Sequence, residues 1–146
     1  MKPISVETVK QDDRTLFTLS VAEDAWLVAA IDHIGPEKYT PGNWSRCVAQ
    51  APGPIAYIDE LWVVPAKRGS GLGSVLLKKF LGLMRDLGVA WVFTYALPFR
   101  GGGSLKDLVG FLRHHGFVEA PECDDKDAGD RGVLLKTTLT RKSQKS

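Results

Sequence analysis

The sequence predicts a single α/β domain built on a mixed sheet, with elements in the order β-β-β-α-β-α-β-β. Three observations predict it. Segments rich in β-branched and aromatic residues dominate the stretch from residue 14 to residue 64. An amphipathic helical pattern over 71–87 runs into an apolar strand pattern over 89–96, a strand–helix–strand crossover. The length, 146 residues, suits one domain with one sizeable core.

Composition excludes several classes. With 44% hydrophobic and 25% charged residues the chain is not a disordered one. A net charge of +2 is too small to imply a nucleic-acid or membrane-surface partner. No apolar run reaches the ~18 residues of a membrane span. Met1-Lys2-Pro3-Ile4-Ser5 lacks an apolar secretion core, so no signal peptide is expected. Cys47 and Cys123 give neither metal-ligand spacing nor a disulfide framework. Both are expected to be inert, and a reduced cytoplasmic setting is the expectation.

Residues 14–21 and 25–32 read as two strands of an antiparallel hairpin around a turn at 22–24. His33 to Pro54 has prolines at 36, 41 and 52 and no clear period; it is expected to be a long functional loop. Residues 55–64 form the third strand, which Pro65 ends. In 71–87, Leu72, Val75, Leu76, Phe80, Leu83 and Leu87 share one helical face, opposite Lys78, Lys79, Arg85 and Asp86. Gly88 suits the helix end. The strand at 89–96 is apolar on both faces and is therefore expected to be central. Ser104, with Asp107 three residues on, caps a helix that runs to about His115, and Gly116 stops it. A short strand at 117–118, an acidic loop at 122–131 and a strand at 133–140 complete the domain, 1–140. The basic residues 141–146 are expected to form a frayed tail.

The chemistry lies in Val63-Val64-Pro65-Ala66-Lys67-Arg68-Gly69-Ser70-Gly71-Leu72-Gly73-Ser74. A strand ends, a basic glycine-rich loop follows, and a helix begins. Glycines permit positive φ and close approach to a ligand. The first helical amides are unpaired, and the helix dipole makes their end positive. Such a turn is a cradle for phosphate or pyrophosphate, with Lys67 and Arg68 adding charge. It is not the ATP-binding P-loop, since no Gly-Lys-Ser/Thr follows. Nor is it the dinucleotide fingerprint, since its glycines fall at 69, 71 and 73 and no acidic residue ends the next strand.

Arg68-Gly69-Ser70-Gly71-Leu72-Gly73 resembles the Arg/Gln-x-x-Gly-x-Gly/Ala motif of the GCN5-related N-acetyltransferase (GNAT) superfamily. Tyr57-Ile58-Asp59-Glu60-Leu61-Trp62-Val63-x-Pro65 resembles the strand that precedes it there, and Phe111-Leu112-Arg113-His114-His115-Gly116-Phe117 resembles that family's last helix end. The likeness covers about residues 14–140. It implies a GNAT-like acyl-CoA N-acyltransferase fold and acetyl-coenzyme A (acetyl-CoA) as co-substrate. It also implies that the amides from Gly69 to Ser74 (Gly69, Ser70, Gly71, Leu72, Gly73, Ser74) hold the pyrophosphate beside Arg68. Trp62, Val63, Val64 and Phe111 would border the pantetheine arm. No metal is implied. The implied reaction is acetyl transfer to a primary amine, borne by a small molecule or a protein lysine. A homodimer is compatible with it; no nucleic acid or membrane partner is expected.

An amine of pKa near 10.4 is almost wholly ammonium at pH 7, and freeing it costs roughly 4–5 kcal/mol at 1.36 kcal/mol per unit. A general base is therefore needed. Asp59 and Glu60 are adjacent on the strand before the loop, so they point to opposite faces unless a bulge intervenes. Glu60 is the narrowly favoured base. A strand amide near Val63 would hold the oxyanion.

Two departures from the family pattern stand out. Its proton-donating tyrosine falls here on Leu112, so His114, Tyr95 or water must serve. Its two N-terminal helices have no room in the 13 residues before the first strand, and the loop 33–54, with Glu37, Tyr39, Trp44 and Arg46, is expected to replace them. These departures support an alternative, a non-catalytic module that binds coenzyme A or a protein partner.

Overall fold

A computed structural model of the chain describes residues 3–96, 105–125 and 132–139. Its first strand, β1 (Ser5–Lys10), was not expected from sequence. Every residue of β1 is exposed, and its apolar residues, Val6 and Val9, stand three apart rather than two. An edge strand of this kind has no alternating signature to read. It pairs antiparallel with β2 (Arg14–Val21), which pairs with β3 (Ala25–Asp32).

The expected loop at 33–54 is partly helical. A 3₁₀ turn spans Pro36–Lys38 and a short helix, α1, spans Asn43–Val48. Six residues make no stable helix alone. Distant residues hold this one: the Asp125 carboxylate accepts from the amides of Asn43 (2.5 Å) and Trp44 (3.3 Å), and Asn43 Nδ2 donates to the Asp124 carbonyl at 2.9 Å. Cys47 and Cys123 are joined in a disulfide with Cα atoms 5.4 Å apart, a normal spacing. This corrects the expectation of two inert thiols. The partners are 76 residues apart, so nothing local announced the pairing.

β4 (Ile55–Val63) follows, then the helix α2 (Leu72–Asp86) and the strand β5 (Trp91–Ala96), parallel to β4. Helix α3 (Leu105–His114), β6 (Val118–Glu119) and β7 (Val133–Thr138) close the fold. The sheet is mixed and seven-stranded, in the order β1-β2-β3-β4-β5-β7-β6. Ser104, residues 126–131 of the acidic loop and the tail lie outside the described residues. No helix among the described residues is long and apolar enough to cross a membrane.

The two sheet faces carry separate cores. On the first, Phe17, Leu27 and Ile58 pack with Leu76, Leu77, Phe80 and Met84 of α2 and Leu112 of α3. On the second, Ile55, Phe93 and Leu134 pack with Val48 of α1 and Cys123, joined by Tyr39, Trp44, Tyr57 and Tyr95. β5 feeds both, Val92 to one and Phe93 to the other, which is why it reads as apolar throughout.

Candidate active site

β4 carries the decisive irregularity. Ala29 of β3 lies opposite Ile58 and Val28 opposite Glu60, so Asp59 is an extra residue, a β-bulge. Ala56 and Ile58 before it, and Leu61 and Val63 after it, all pack on the first face. Asp59 and Glu60 therefore both fall on the second face, together with Tyr57. Without the bulge the two carboxylates would be on opposite sides.

β4 and β5 also part company here. Their pairing runs from Ile55↔Trp91 to Ile58↔Thr94 and stops. Asp59 and Tyr95 are the next residue on each strand, at the fork, and Tyr95 belongs to the second-face cluster. Asp59 is solvent-accessible, yet burial of its carboxyl raises its pKa above the usual value; the nearby positive charge of Arg14 opposes this and does not cancel it. The Tyr57 phenol is pushed up to about 12, first by burial and then by the negative charge of Asp59, Tyr95 and Asp124.

Beyond the fork, the first face opens into a groove of about 440 Å³. Leu61, Trp62 and Val63 of β4 form one wall and Asp107, Leu108 and Phe111 of α3 the other; the turn from Lys67 to Ser74 closes the end. Gly69 and Gly71 take positive φ, 82° and 88°, which any side chain would strain although no atom lies within 4 Å of an added Cβ. At Gly73 an added Cβ would make ordinary contacts, 3.5 Å from Phe111 Cζ and 3.7 Å from Val63 Cγ2.

The amides of Gly69, Gly71, Leu72, Gly73 and Ser74 have no hydrogen-bond partner among the described residues. Those of Arg68 and Ser70 are committed to the carbonyls of Pro65 and Lys67, each at 3.3 Å, so Ser70 offers no amide to a ligand. Arg68 lies back on β4, donating from Nε to the Val63 carbonyl at 2.9 Å with its guanidinium 4.7 Å from the Trp62 ring centre. Val64 does not line the groove; its amide donates to Asp24 at 2.8 Å. His114 is exposed and does not line it either. Its neighbour His115, unmentioned as a site residue from sequence, is hydrogen-bonded through Nε2 to Ser74 Oγ at 3.0 Å, and burial, His114 and Lys78 lower its pKa. Leu112 is buried, 4% exposed, and cannot reach a ligand.

Asp107 and Leu108 were also not foreseen. Their one signal was a three- and four-residue spacing from Phe111 on α3. Uncommitted amides at a helix start suit a diphosphate.

The sequence profile described as the acetyltransferase (GNAT) family matches residues 7–98. The chain belongs to that family. No curated protein matches this GNAT chain in sequence. Among solved structures, the PaiA N-acetyltransferase of Thermoplasma acidophilum, in complex with coenzyme A, is 14% identical, with a TM-score of 0.51 over 87% of this chain and 62% of its own. This GNAT chain thus spans less than two thirds of that protein. The ribosomal-protein-S18-alanine N-acetyltransferase of Escherichia coli is 13% identical with a TM-score of 0.54, over 94% of this chain and 76% of its own. Tetrahymena GCN5 is 14% identical with a TM-score of 0.55, over 90% of this chain and 72% of its own. These likenesses carry the acyl-CoA N-acyltransferase fold.

Proposed function

We propose that the chain transfers an acetyl group from acetyl-CoA to a primary amine. One observation carries this reading: the fork between β4 and β5 opens onto an anion-cradling groove on one face and onto paired carboxylates on the other. The groove amides and Lys67 would hold the diphosphate, and the stretch of β4 beyond the fork the pantetheine arm. Asp59 takes the proton from the ammonium, directly or through a water, because it is the residue at the fork and burial raises its pKa. Glu60 shares its face and adds negative charge that draws the cation in. A β4 amide near Val63 donates to the oxyanion. Water at the fork returns a proton to the departing thiolate, the role that the buried Leu112 cannot fill. Thiolates leave readily, so no side-chain acid is required.

Calorimetry with acetyl-CoA and a thiol-release assay over a panel of amines test the reading; absence of binding at about millimolar ligand would remove it. Arg68→Ala is expected to weaken acetyl-CoA binding by about 1–3 kcal/mol, by loss of charge and of the contact that fixes the turn on β4. An unchanged Kd would count against the cradle. A second reading, a binding module without turnover, is favoured by the apolar Leu112 at the family's acid position. Binding without thiol release from any amine would select it.

A further inference from the structure

His115 is a half-buried imidazole that the transfer steps above leave unused. It stands one residue past the end of α3 and reaches the start of α2, where its Nε2 meets Ser74 Oγ at 3.0 Å. Ser74 is the third residue of α2; it lines the groove, and its amide is uncommitted among the described residues. His115 does not line the groove itself. Phe111, one turn back, lies against the imidazole with ring centres 4.8 Å apart, and it does line the groove. The polar link between this ring and the groove is therefore one hydroxyl.

A serine hydroxyl has a single proton, and its direction depends on the partner. When Nε2 of His115 carries a lone pair, Ser74 donates to it and turns only lone pairs to the groove. When Nε2 carries a proton, it donates to Oγ, and the Ser74 proton is free to donate to a ligand. An anion among the neighbouring amides accepts from the second arrangement and is repelled by the first. The imidazolium always has a proton on Nε2, and it adds a positive charge two hydrogen bonds from the anion.

The groups nearest the ring are cationic or become so: His114, ring centres 5.3 Å apart, and Lys78, one turn beyond Ser74 on α2. Arg113 is paired with Glu119, Lys67 and Arg68 belong to the turn at the groove end, and Asp107 stands two turns back on α3, beyond Phe111. Burial, His114 and Lys78 hold the His115 pKa below its usual value, so the ring is neutral at pH 7 in the free protein.

We propose that His115 is a positioning residue of the diphosphate subsite: it aims the Ser74 hydroxyl at the ligand and takes up a proton from solvent as the ligand binds. The inference rests on the transfer reading above, which puts the diphosphate in this groove. Binding raises the pKa of His115, and by reciprocity protonation tightens binding. Affinity therefore rises as pH falls through the bound-state pKa and levels off below the free-state one.

The test is calorimetry with 3′-dephospho-coenzyme A. Its diphosphate keeps a constant charge between about pH 5 and pH 8, whereas a phosphate monoester such as the 3′-phosphate of coenzyme A titrates near pH 6. The affinity is expected to rise about tenfold from pH 8 to pH 5, with proton uptake read from the dependence of the binding enthalpy on buffer ionisation. His115→Gln keeps a donor for Ser74 but cannot titrate; it is expected to hold the pH 8 affinity and to lose both the pH dependence and the uptake. Ser74→Ala is expected to weaken binding most at pH 5 and to flatten the profile. His114→Gln is expected to leave the uptake in place. The same pH dependence in His115→Gln as in the unaltered protein, or uptake lost in His114→Gln instead, would overturn the role of His115 and leave the transfer reading standing. No binding at about millimolar ligand at any pH would overturn the cradle and the proton link with it.

Discussion

Asp59→Asn is expected to lower kcat for amine acetylation by about 10²- to 10⁴-fold, with the acetyl-CoA Kd unchanged. The carboxyl sits at the bulge on the amine side of the fork, and burial raises its pKa against the pull of Arg14. The sign of the pH dependence follows. The base must be ionised, so activity is lost as pH falls through the folded-state pKa of Asp59, and that limb lies above the ordinary carboxylate value. The effect on stability has the opposite sense. A raised carboxylate pKa means that folding disfavours the charged form; this penalty is fully present above the folded pKa and disappears as pH falls below the unfolded one. Asp59→Asn should therefore leave the thermal midpoint at pH 7 unchanged or higher. Glu60→Gln, with the charge-gathering role, should act more weakly and on KM. A full-rate Asp59→Asn enzyme, or one that loses rate only in proportion to lost folded protein, would refute the assignment of the base.

What the sequence disclosed about the site depended on range. The phosphate turn is local: glycines, a basic flank and a helix start lie within seven residues, and the turn is there, although the Ser70 amide is spent on Lys67. The hairpin of β2 and β3 and the crossover through α2 were equally legible, because alternation and helical spacing are short-range patterns. The acidic pair was visible, but its orientation was not. A bulge is fixed by register against β3, and no pattern within Ile-Asp-Glu-Leu announces it. The second face was the least legible. Trp44 comes from a stretch without a period, Tyr57 from a strand whose neighbour at 58 belongs to the other core, and Cys123 and Asp124 from nearly 80 residues further on. Each is held by contacts distant in sequence. α1 exists because Asp125 caps it and Phe93 receives Trp44.

That dependence sets the size of the second large effect. Cleavage of the Cys47–Cys123 bond by a dithiol reductant, or Cys47→Ser together with Cys123→Ser, is expected to destabilise the fold by about 2–4 kcal/mol. The closed loop spans 76 residues, so its restriction of the unfolded chain is substantial. For a domain of this size the thermal midpoint should fall by roughly 10 °C. The loss is not distributed evenly over the two functions. The bond joins α1 to the 3₁₀ turn Pro121–Cys123, and both pack on the second sheet face, where Tyr57 and Asp59 stand, whereas the groove is framed by β4, α2 and α3. The amine KM should therefore rise several-fold at a temperature where the protein is still folded, while the acetyl-CoA Kd holds. In a reducing compartment the bond would stand open, and amine affinity measured with and without dithiothreitol would bracket the two redox states. Two observations would contradict this account: a midpoint indifferent to dithiothreitol, or ready alkylation of both cysteines in the folded, unreduced protein. Asp125 and Trp44 would then be sufficient to hold α1 against the sheet, and the second face would keep its shape in either redox state.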